Sequence, residues 1–122
     1  MVRAAFCLAV CMLGAGIFAM AQRPRIIEFD APGAGNTPGS GFGTQGEDIN
    51  PAGAITGMYA DSNNVMHGFL RAKHGAITTF DVPGAGTEAG QGTFPLDNNP
   101  GEMITGVYID ASSVYHGFLR TP

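Results

Sequence analysis

Positive charge is scarce in this chain. Six of its 122 residues are basic, lysine occurs once, and ten acidic residues bring the formal net charge to −4. A nucleic-acid binder needs a cationic face to displace counterions from phosphates, so that class is excluded. Charge of either sign is thin, at 13% of residues, about half the usual share of a soluble domain. Yet 44% of residues are apolar, the opposite of a disordered composition. Cysteine occurs only at positions 7 and 11. Beyond them the chain has neither a disulfide framework nor a thiolate metal site. Nineteen glycines and eight prolines leave little room for helices, since each costs about 1 and about 3 kcal/mol, respectively, in a helix interior. A small, turn-rich, mostly β protein of one domain remains.

The one long apolar run stands at the start. Residues 1–21 read MVRAAFCLAVCMLGAGIFAMA, with Arg3 as a positive n-region and an uncharged run over 4–18. Ala19-Met20-Ala21 forms a small-x-small cleavage site before Gln22. The run is short for a membrane span, and Arg23 and Arg25 follow it at once. A signal peptide at 1–21 is expected, leaving a secreted or periplasmic domain at 22–122 with no membrane attachment after cleavage. That domain keeps five basic and all ten acidic residues, a charge of −5.

Self-comparison exposes a repeat. FDAPGAG at 29–35 returns as FDVPGAG at 80–86. DINPAGAITGMYADSNNVMHGFLR at 48–71 returns as DNNPGEMITGVYIDASSVYHGFLR at 97–120, identical at 14 of 24 positions. The offsets are 51 and 49, a difference that the intervening glycine-rich loop absorbs. Repeat 1 thus covers about 29–79 and repeat 2 about 80–122. Within a unit, 54–60 (AITGMYA), 65–71 (VMHGFLR) and 76–82 (AITTFDV) are strand-like and bounded by turn residues, with a weaker strand at 44–49. Both faces of these strands carry apolar groups, which suits small sheets stacked between neighbours. The expected fold is all-β, a propeller-like array of two antiparallel sheets of three to four strands. Residues 25–30 (RIIEFD) match the last strand of a unit, while the chain stops just after HGFLR. The N-terminal strand is therefore expected to complete the last blade. Two blades cannot close a ring, so a homo-oligomer such as a trimer of two-blade chains is expected, the alternative being a fragment of a longer array.

The elements N-P-x-x-x-I-T-G-x-Y, HGFLR and TTFDVPGAG resemble the extracellular repeat proteins of the HAF family, named for a His-Ala-Phe strand core. Here the core reads His67-Gly68-Phe69 and His116-Gly117-Phe118. Asp48-Ile49-Asn50 with Gly53 keeps the family's I-N-x-x-G element, whereas Asn98-Asn99 and Glu102 depart from it in the second copy. The resemblance implies bacterial, exported, propeller-like repeats, and it brings no catalytic residues.

Chemistry-bearing residues are few. GFGTQG at 41–46 and GAGTEA at 84–89 mimic nucleotide loops, but neither leads into the helix whose N–H groups would face a pyrophosphate. His67 and His116 are repeat-equivalent, which points to packing with a backbone carbonyl bonded to the ring rather than to metal ligation. Asp61 and Asp110 open turns, and Asx-turn capping accounts for them better than calcium does. Ser40 lacks a nucleophile elbow. No cofactor, metal or catalytic residue is therefore expected. The expected function is that of a secreted, non-enzymatic β-repeat protein binding a glycan, with Tyr59, Tyr108, Tyr115, Arg71 and Arg120 as ligand-binding candidates. The alternatives are a structural or assembly segment of a larger extracellular array and, third, a small esterase or glycosidase.

Overall fold

A computed structural model describes residues 23–41 and 43–122. The expected signal peptide, with Cys7 and Cys11, lies outside the described residues. Seven strands form: β1 (Gly43–Ile49), β2 (Ile55–Ala60), β3 (Met66–Arg71), β4 (Ile77–Phe80), β5 (Gly92–Asn98), β6 (Ile104–Ile109) and β7 (Tyr115–Arg120). No helix among the described residues is long and apolar enough to cross a membrane. The all-β class expected from composition is the one adopted.

The first four strands form an antiparallel meander and the last three a second one. They join in one open sheet through a single parallel bridge between Met66 and Gly92. There the Met66 N–H donates to the Gln91 carbonyl at 2.9 Å, and the Gly90 N–H to that of Asn64 at 2.8 Å. A Cβ at Gly92, whose φ is +120°, would strike the Met66 backbone, so only glycine allows this approach. β5 also lies against β1 and β2. The backbone N–H of Asn98 donates to Asp48 Oδ2 at 3.0 Å, and its side-chain amide donates to the Ala54 carbonyl at 3.3 Å.

The repeat is retained strand by strand. β1 pairs with β2 as β5 pairs with β6, including a bulge between Gly46 and Asp48 that recurs between Pro95 and Asp97. The glycine of each Ile-Thr-Gly is steric. A Cβ at Gly57 would lie 2.8 Å from the Phe69 ring, and one at Gly106 would lie 2.9 Å from that of Phe118. Asn50 and Asn99 each cap a turn by accepting the backbone N–H four residues on, both at 3.0 Å.

The core does not repeat so evenly. Its centre is Ala31, Tyr59 and Phe69, with Phe29, Ile55 and Ile77 packed around it. Phe69 is fully buried, while its counterpart Phe118 is half-buried. Residues 25–30, expected as a strand, carry no strand pairing. The segment instead lies on the first meander through Phe29, whose ring meets Phe69 edge-on at 5.9 Å. Nor does it complete the second meander: among the described residues β7 pairs only with β6. A strand needs a partner's N–H and carbonyl groups, and this fold brings the N-terminal segment to none.

Candidate functional site

Each unit builds the same polar cluster. Asp61 closes the β2–β3 turn, its Oδ1 accepting the backbone N–H groups of Asn63 (2.8 Å) and Val65 (3.0 Å). Asp110 does the same with Ser112 (2.8 Å) and Val114 (2.9 Å). The other oxygen faces histidine: His67 Nε2 lies 3.3 Å from Asp61 Oδ2, and His116 Nε2 lies 3.0 Å from Asp110 Oδ2. Tyr59 stacks on His67 at 5.0 Å and Tyr108 on His116 at 4.8 Å. These tyrosines are fixed by their strand register, which sets Tyr59 opposite His67 and Tyr108 opposite His116.

One contact breaks the equivalence. His67 Nδ1 lies 2.8 Å from Asp81 Oδ1, just past the end of β4. Among the described residues no such contact is made by His116, because no fourth strand lies beside β7. The expected carbonyl partner of these histidines is thus replaced by carboxylates. The partner is Asp81 of the second FD-x-PG, which β3–β4 pairing brings to the ring although it lies 14 residues away, whereas Asp30 of the first is exposed on the N-terminal segment.

Hydrogen bonds account for the carboxyl groups. The Val65 N–H lowers the pKa of Asp61, helped by Asn63 and His67 and opposed by burial. Asp110 is likewise lowered, chiefly by His116 and then by Val114. Burial raises the Tyr59 phenol despite a lowering hydrogen bond with Thr79. Among the described residues no group of three or more His, Cys, Asp or Glu is placed to hold a metal ion.

Of the five ligand-binding candidates, Tyr59 is buried, Tyr108 is half-buried, and both are stacked on histidine. Tyr115 is 69% exposed. The Arg71 guanidinium lies over Phe29 at 4.9 Å and that of Arg120 over Phe80 at 4.8 Å. Two cation–π pairs and two stacked Tyr–His pairs therefore absorb four of the five. In the HGF cores, a Cβ at Gly68 would lie 2.7 Å from Phe80 and 2.8 Å from Pro95, whereas one at Gly117 would meet nothing nearer than 4.0 Å. Neither glycine-rich string leads into a helix: Gly43 and Gly46 lie in β1, and 84–89 run from a turn through a bridge at Ala85 to a second turn.

A small cleft of about 80 Å³ lies against His67 and Asp81, and two larger ones lie away from the histidines. The larger, about 600 Å³, lies between the N-terminal segment and β1–β2, with Ile27, Phe29, Ile49 and Ile55 set among Glu28 and Glu47. A smaller one, about 250 Å³, lies between the end of β4 and β7, against Phe118, Leu119 and Arg120. No family model, curated protein or solved structure matches this chain.

Proposed function

We propose that this chain is an exported, non-catalytic β-repeat protein whose work is assembly, its two meanders serving as blades of a propeller-like array. The observation that carries this reading is a junction made twice. Residues 80–86 leave the first blade and dock on the second: Phe80 meets Phe118 edge-on at 6.3 Å, Arg120 covers Phe80, Val82 N–H donates to Thr93 Oγ1 at 3.0 Å, and Gly86 N–H to the Ile109 carbonyl at 2.8 Å. Residues 29–35 make the same contacts on the first blade, through Phe29, Phe69 and Arg71, with Ala31 N–H on Thr44 Oγ1 at 2.9 Å and Gly35 N–H on the Ala60 carbonyl at 2.8 Å. The first blade is thus prepared for a preceding blade just as the second is for the first. Stacked repeats that contact only their neighbours gain stability with each added interface. The HAF-like motifs and the signal-like sequence of residues 1–21 support the exported address.

Light scattering after gel filtration tests this reading on residues 23–122, which contain every described strand. A defined multiple of the monomer mass is expected; a folded monomer at all concentrations overturns it. Glycan binding is a second reading, favoured by the 600 Å³ cleft with its apolar floor and acidic rim. A glycan panel without binding removes it.

A further inference from the structure

Resting on the assembly reading, we infer that the partner is a second copy of this chain, and that its residues 26–30 add to the outer edge of β7 as a fourth strand.

The first blade supplies the template. β4 pairs with β3 so that Ile77 faces Arg71, Thr78 faces Leu70, Thr79 faces Phe69 and Phe80 faces Gly68. Residues 26–29 are the repeat equivalents of 77–80 and carry no pairing of their own, with Ile26 at 89% and Ile27 at 61% exposure. Moved onto β7 in that register, Ile27 of the second copy faces Leu119 and Phe29 faces Gly117. The 250 Å³ cleft over Phe118–Arg120 is the space this strand enters.

Three features of β7 make sense only with that strand in place. Gly117 has open space where Gly68 has Phe80 and Pro95 against it. Leu119 stands 63% exposed, whereas Leu70 is half-buried beneath the β3–β4 pairing. His116 has carboxylate contact at Nε2, while His67 has it at both ring nitrogens. The equivalent of Asp81 is Asp30, which is exposed on the N-terminal segment. Strand addition carries Asp30 of the second copy to His116 Nδ1 and completes the second polar cluster.

The same contact covers the opposite end of the molecule. Because residues 29–35 stay docked on their own first blade, adding 26–30 to β7 brings one chain's second blade onto the other's first blade. The 600 Å³ cleft lies where the internal blade–blade contact places its buried surface. Asn98 is 7% exposed there and bonded to Ala54, and its ladder partner Ile104 is fully buried, but their counterparts Ile49 and Ile55 are 63% exposed and half-buried. On the far side, Thr105 is exposed where Thr56 is fully buried. The interface is head-to-tail, so each chain offers one donor end and one acceptor end.

The experiment uses residues 23–122 and two blocking variants. Ile26→Pro with Ile27→Pro removes two consecutive ladder N–H groups, one of which must point toward β7, and touches no pairing in the single chain. Gly117→Val fills the acceptor side where the fold has room. Each variant is expected to retain its circular dichroism and run as a monomer, and an equimolar mixture of the two is expected to form a 1:1 dimer through the one intact donor and the one intact acceptor. Asp30→Asn should weaken assembly roughly threefold to fivefold, as befits the loss of one partly exposed side-chain hydrogen bond to a carboxylate. If the wild type assembles but both variants assemble equally well, the strand-addition contact is overturned and the assembly reading survives. If the variants are monomeric and the mixture stays monomeric, the head-to-tail pairing is overturned. If the wild type is itself monomeric, both fall.

Discussion

Asp61 contributes to stability through its charge as well as its turn. In the unfolded chain its carboxyl takes up a proton near pH 4, whereas in the folded chain the Val65 N–H, seconded by Asn63 and His67, keeps it ionised to lower pH. The unfolded state therefore binds the proton first, so the stabilisation is complete above about pH 4 and is lost as pH falls through the depressed folded value. Asp61→Asn retains the Oδ1 acceptor and removes the charge. Its Tm should lie below that of the wild type at pH 6, with the gap closing toward pH 2; a constant gap would contradict this account. Glu102 offers a simpler test. It occupies the position of Gly53 at φ +58°, a left-handed conformation that costs an L-residue about 1 kcal/mol or more. Glu102→Gly should raise stability by up to about 1 kcal/mol in urea melts, after its greater unfolded-state entropy is counted.

Strands were legible where apolar β-formers sit between Asp, Asn and Gly turns, as for β2, β3 and β4. β1 reads as weak because the bulge at Glu47 breaks its alternation, yet six of its seven residues pair with β2. Residues 25–30 show the limit of such inference. A strand pattern reports which surface a segment fits, whereas a ladder needs an edge, and no edge is written into the segment itself. The polar cluster was half legible for the same reason: its Asp and Tyr lie near His67 in sequence or register, but Asp81 arrives by strand pairing. The HGF glycines carry the difference between an enclosed and an open strand. At concentrations low enough for a monomer, Gly68→Ala should cost about 2 kcal/mol or more through overpacking against Phe80 and Pro95, while Gly117→Ala should fall within about 0.5 kcal/mol of wild type. Equal costs in chemical denaturation would refute the distinction.

Across the described residues, large apolar side chains are exposed in both units. Ile26, Ile27 and Ile49 belong to the first, and Leu96, Met103, Val114, Tyr115 and Leu119 to the second. Long apolar edges left bare are a hazard that native β proteins cover. Hydrogen exchange should therefore depend on concentration. Amides of β7 should exchange faster than those of β3 in dilute solution and approach them as chains assemble. Protection of β7 that does not change with concentration would speak against any covering partner.

The bridge at Gly92 has a geometric consequence. One residue pair forms the ladder between the meanders, and the Asn98 hydrogen bonds to Asp48 and Ala54 hold the far end of β5, so the mutual inclination is fixed at both ends of that strand. If the junction between copies repeats that bridge through Gly43, whose φ is +128° against +120° at Gly92, every step along the assembly turns through the same angle. A small rotation per step then decides between a closed circle with a fixed number of chains and an open spiral without end. The pitch of such an assembly would follow from how the β5-type strand sits against the blade before it.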